Sequence, residues 1–153
     1  MLPVFGISML VAAACGDDDD GGPTDPPQSD TTLTVSLDGG TTFTAATANI
    51  TSSAGRLLVI ASNGPNESMG LGFELRIGPQ ASGTGGTATA SYVRIGTGSW
   101  AAGPNLATSS GTLTLTAATA NHVVGTFSFT LVSTAASTPA TRQMTNGRID
   151  IRY

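Results

Sequence analysis

The chain has 153 residues, with six arginines and no lysine against ten acids, and one His, one Cys and 20 glycines. That is room for one ordinary domain. Without lysine there is no Walker-type phosphate loop and no Schiff-base enzyme. One His and one Cys make neither a zinc finger, a His-rich catalytic zinc site nor a disulfide, so no metal or cofactor is implied.

The first element is an address. Residues Leu2 to Ala14 are apolar apart from Ser8, and Ala12, Ala13 and Ala14 lead into the lone Cys15. Thirteen residues at about 1.5 Å each span roughly 20 Å, short of the roughly 30 Å hydrocarbon core. Residues 1–14 therefore read as a signal peptide and not as a membrane-spanning helix. Leu10-Val11-Ala12-Ala13-Ala14-Cys15 resembles the lipobox of bacterial lipoproteins, with Ala12 standing where that pattern usually has Leu. The resemblance implies cleavage before Cys15 and lipid transfer to its thiol. Two or more acyl chains, at about 0.8 kcal/mol per buried CH₂, hold a protein on a bilayer where one does not.

Residues 15–30 form the lipidated Cys and a tether. Gly16 to Asp30 carries six carboxylates and three prolines and no large apolar residue, so it cannot bury enough surface to offset chain entropy. Its fifteen residues reach at most about 50 Å. The run Asp17 to Asp20 lacks the glycine-spaced alternation of a calcium loop. It resembles the acidic surface-export signal found just after the lipidated Cys of some Gram-negative lipoproteins. The expected location is the outer membrane or cell surface, lipid-anchored, with a periplasm-facing protein as the alternative.

From Thr31 to Tyr153 four acids face six arginines, a net of +2, and the apolar pattern has period two. Leu33, Val35 and Leu37 alternate with Thr34 and Ser36. The same alternation recurs at Leu71, Phe73, Leu75 and Ile77, at Leu113 and Leu115, at Phe127, Phe129 and Leu131, and at Ile149, Ile151 and Tyr153. Each run reads as a half-buried strand. Arg56 to Ser62 is apolar on both parities and reads as a central strand covered on both faces. Turn chemistry separates the runs at Asp38-Gly39-Gly40, Ser53-Ala54-Gly55, Asn63-Gly64-Pro65-Asn66, Gly78 to Gly86 and Gly103-Pro104-Asn105. The pattern predicts an all-β domain over 31–153, an antiparallel β-sandwich or flattened barrel of about eight or nine short strands. Leu, Ile, Val and Phe supply 26 of these 123 residues, enough for one thin core.

Ser110-Gly111-Thr112-Leu113-Thr114-Leu115, Gly125-Thr126-Phe127-Ser128-Phe129 and Thr145-Asn146-Gly147-Arg148-Ile149-Asp150-Ile151 resemble the closing strands of an uncharacterised family of β-rich bacterial lipoproteins. The likeness is best over 110–152. It implies a β-sandwich on a lipid tether and carries over no site residue. Within the last segment, Asn146-Gly147 reads either as a tight hairpin turn or as a bulge inside one final strand.

No GxSxG elbow or HExxH motif is present. The glycine runs at Gly83 to Ala88 and Gly96 to Ala101 fit GxGxxA by letter, but no helical pattern follows to receive a phosphate. His122 opens a strand, and catalysis there would require a hydroxyl and an orienting acid within reach. Arg148, Asp150 and Arg152 share the outward face of the last strand, either guarding a sheet edge or forming a cationic strip. A net of +2 is not a nucleic-acid patch. Trp100, in the loop Gly96 to Ser110, either stacks on sugar rings, as in carbohydrate-binding modules, or plugs the core; Tyr92 fits both pictures. The chain is thus expected to be a non-enzymatic surface lipoprotein that binds, adheres or supports. Its expected partners are the membrane through Cys15 and a glycan or another envelope protein. The alternatives are an accessory glycan-binding module using Trp100 and Tyr92, and a small secreted hydrolase using His122.

Overall fold

The computed structural model describes residues 31–135 and 140–153. The signal peptide, Cys15 and the tether lie outside the described residues. Eleven strands follow in chain order: β1 (Thr31–Leu37), β2 (Thr41–Thr44), β3 (Thr47–Ser53), β4 (Arg56–Ser62), β5 (Glu67–Glu74), β6 (Gly78–Ser82), β7 (Thr89–Arg94), β8 (Gly98–Ala102), β9 (Ser110–Ala118), β10 (His122–Ser133) and β11 (Thr141–Arg152). No helix occurs among the described residues.

The strands pair antiparallel in the order β2-β1-β11-β10-β8-β7-β5-β4-β3, with β9 on β10 and β6 on β9. The two ends of this path are neighbours in sequence. Ala45 N–H donates to Leu33 O at 2.9 Å and Ala46 N–H donates to Ser62 O at 2.8 Å. The sheet therefore curls until its end strands, β2 and β3, are joined through Ala45–Ala46 without pairing, an open form of the flattened barrel that the alternation predicts. The inward residues of every wall form one core whose largest buried side chains include Trp100, Tyr92, Phe43, Phe73 and Phe129.

Several expectations are corrected. The count rises to eleven because two glycine-rich segments read as turn or loop contain strands: Gly78–Ser82 is β6 and Gly98–Ala102 is β8. Pairing with β9 supplies the ladder for β6, and a hairpin with β7 supplies it for β8, against the local propensity. The run Arg56–Ser62 is not covered on both faces, since Leu57, Val59 and Ala61 are buried while Leu58 and Ile60 are about half exposed. One curled sheet has no second layer outside it, and parity alone decides which residues face water. β5 ends at Glu74, leaving Ile77 exposed.

Asn146-Gly147 is a bulge within β11 and not a hairpin turn. Asn146 adopts φ 55°, and the β10 register slips between Phe127↔Gly147 and Phe129↔Met144. Gly147 is required there, because a Cβ would lie 2.5 Å from the Phe127 ring. β11 runs between β1 and β10, so Arg148, Asp150 and Arg152 guard no edge.

Candidate functional site

Tyr92 on β7 and Trp100 on β8 lie directly opposite each other, both facing inward. Their relative exposures are 0% and 1%, and their ring centres are 5.9 Å apart. Neither ring offers a face to a sugar, which corrects the stacking-platform expectation for both. In a core poor in large side chains, the biggest rings are drawn inside, where burial is most favourable.

An arginine covers the pair. The Arg142 guanidinium carbon sits 4.4 Å from the Trp100 ring centre and 5.2 Å from that of Tyr92. Its Nε lies 3.0 Å from Asp38 Oδ2, and Asp38 Oδ1 accepts from Gln143 N–H at 2.8 Å. The Tyr92 hydroxyl donates to Glu67 Oε1 at 2.7 Å, and Arg94 Nε stands 3.6 Å from the same oxygen. Burial, then the bonded Glu67 carboxylate, pushes the Tyr92 phenol up to about 12, against the pull of Arg142 and Arg94. This neutral phenol with its paired charges closes one end of the barrel.

At the opposite end His122 meets an acid. Its Nε2 lies 2.7 Å from Asp150 Oδ1, with both side chains partly exposed. Among the described residues no serine or threonine hydroxyl bonds to the ring; Thr119 Oγ1 donates instead to the His122 carbonyl at 3.2 Å. The structure supplies the acid, bringing Asp150 to His122 across two adjacent strands. What it does not bring there is a nucleophile. Glu74 and Arg76 form a surface pair at 2.7 Å.

The outer face of β4, β5, β7 and β8 holds a trough. In register, Leu58 lies beside Gly72 and Ile60 beside Gly70; beyond them lie Thr89 and Ser91. A Cβ at Gly70 would fall 2.6 Å from Ser91 Oγ, and one at Gly72 would fall 2.5 Å from Thr89 Oγ1. Two glycines thus keep the floor low beneath an apolar rim. Leu58 and Ile60, 47% and 50% exposed, form one wall, and Pro104 and Leu106 form the other. The cavity of about 410 Å³ has no charged or aromatic residue in its lining. The signal for it was in the sequence, as apolar residues on both parities of Arg56–Ser62.

The other outer face is polar. Thr34, Arg148, Thr126 and Thr114 form one row across β1, β11, β10 and β9, with shallow cavities of about 310 and 260 Å³ beside Arg148. Among the described residues no cluster of three His, Cys, Asp or Glu is placed to hold a metal, and no helix is long and apolar enough to cross a membrane.

Residues 30–150 match a family model described as Domain of unknown function (DUF6252). No curated protein and no solved structure matches the chain.

Proposed function

The chain belongs to that family, and on this premise we propose that it is a non-enzymatic, lipid-anchored envelope lipoprotein whose barrel binds another envelope protein. The observation that carries the binding role is the trough: an apolar rim of Leu58 and Ile60 over a glycine floor. Exposed apolar area of this kind marks contact surfaces. The partner is a protein and not a sugar, because sugar rings are held on aromatic faces and the lining contains none. An uncharged, apolar-faced segment fits between Ile60 and Leu106.

The anchor is supported by the lipobox-like run before Cys15 and by the acidic, proline-rich stretch that follows it.

Two experiments test the two halves of the proposal. Cys15→Ala should move the protein out of the membrane fraction, and unchanged partitioning overturns the anchor. A photoreactive side chain at Leu58 should give one adduct of defined mass in intact cells. Gly70→Leu, which fills the trough, should abolish it. No adduct, or an adduct indifferent to Gly70→Leu, overturns the binding surface.

A further inference from the structure

The path of the sheet leaves one long strand edge unguarded. β3 pairs with β4 over seven residues in unbroken register, and no strand pairs with its other side among the described residues. An exposed strand edge presents a row of unpaired N–H and C=O groups that templates another strand. Proteins usually blunt such edges with charge, proline, a bulge or short length. β3 has none of these. From Thr41 to Gly55 the sequence contains no charged residue and no proline, and the register shows no bulge.

The contrast with the other free strands is internal to the fold. β6 carries Pro79 and has Ala88 N–H donating to Ala81 O at 3.0 Å. β2 is only four residues long. Edge protection is therefore present elsewhere and missing at β3.

We infer that β3 is a dimerisation edge, pairing antiparallel with β3 of a second copy about a two-fold axis through Ile50, the middle of the strand. An antiparallel edge is complementary to itself under two-fold symmetry, and an uncharged one brings no repulsion against its own copy. In this register Asn49 faces Thr51 of the second copy, and Thr51 faces its Asn49. The two sheets become one surface, β4-β3-β3-β4, and both troughs open on the same outer face. Main-chain hydrogen bonds supply the affinity, and the facing side chains set the register.

The register gives a charge-swap test by sedimentation equilibrium of the full chain. The unaltered chain should show a concentration-dependent monomer–dimer mass. In Asn49→Lys/Thr51→Lys, lysines oppose lysines across the axis, and association should weaken by roughly tenfold or more. In Asn49→Lys/Thr51→Glu, each Lys opposes a Glu, and the dimer should return. Asn49 and Thr51 are exposed, so near-ultraviolet circular dichroism should show all three chains equally folded. A monomeric mass throughout overturns the inference. So does a dimer that survives the double lysine, or one that the Lys/Glu pair fails to restore.

Discussion

Arg142 holds its guanidinium carbon 4.4 Å from the centre of the Trp100 ring while its Nε is 3.0 Å from Asp38. The cation covers the largest buried ring of the protein at the end of the barrel. Cation–π contacts that are partly desolvated contribute about 2 kcal/mol, and the exposed Asp38 adds about 1 kcal/mol at most. Arg142→Ala should lower stability by about 2–3 kcal/mol in urea titration. It should also shift the emission of Trp100, the single tryptophan, to the red as water reaches the ring. Arg142→Lys keeps the charge but lacks the planar fork, and should fall between the two. Unchanged emission in Arg142→Ala would show that the guanidinium does not shield the ring.

The β3–β4 hairpin turns on two residues, because Ser53 pairs with Arg56. Ala54 and Gly55 take φ 49° and 75°, the left-handed pair of a type I′ turn. Glycine suits this conformation, but alanine is strained in it by about 1 kcal/mol. Asn tolerates the left-handed region and is the preferred first residue of such turns. Ala54→Asn should therefore raise the urea midpoint by an amount equal to about 0.5–1 kcal/mol. A lower midpoint would argue against the type I′ geometry.

What was legible in the sequence was what depends on alternation alone. Phe127, Phe129 and Leu131, and Ile149 with Ile151, announced both their strands and their inward faces. What was hidden depends on pairing that local composition does not announce. β8 reads as glycine-rich loop until its hairpin with β7 and its short pairing with β10 form, and only that pairing turns Trp100 inward. His122 finds Asp150 28 residues away, a contact set by the register of two long strands. Leu58 and Ile60 misled in another way. Apolar residues on both parities indicate burial on both faces or an exposed patch, and the choice rests on whether a second layer exists outside the sheet.

Tyr92 makes stability depend on alkaline pH. Its folded value is pushed from 10 up to about 12, so it binds its proton more tightly in the barrel than in the unfolded chain. The unfolded state begins losing that proton near pH 10, while the folded state holds it. Stability from this group is thus complete below about pH 10 and is lost progressively toward pH 12. Urea midpoints followed by Trp100 fluorescence should fall across this window, and Tyr92→Phe should flatten the fall. Absorbance titration of the tyrosinate band should show one phenol titrating late. Identical midpoints for the two chains from pH 9 to 12 would refute the shift.

Gln80, fully buried on β6, secures the bend between β5 and β6. Its Oε1 accepts from Glu74 N–H at 2.7 Å, and its Nε2 donates to Glu74 O at 2.7 Å and to Arg76 O at 3.3 Å. One amide thus satisfies backbone groups that the end of β5 leaves without a ladder partner. Gln80→Leu keeps the volume and removes the three side-chain bonds; Glu74 O still accepts from Arg76 N–H at 2.9 Å, so the stranded Glu74 N–H bears the desolvation cost. The expected loss is about 1–3 kcal/mol by denaturant titration, with faster amide exchange at Glu74. Gln80→Glu separates the two roles of the amide: it keeps an acceptor for Glu74 N–H but sets a carboxylate against two carbonyls. It should destabilise at neutral pH and recover part of the loss in acid, where the protonated carboxyl donates one bond again. A Leu variant as stable as the parent would mean that water replaces the amide at the bend.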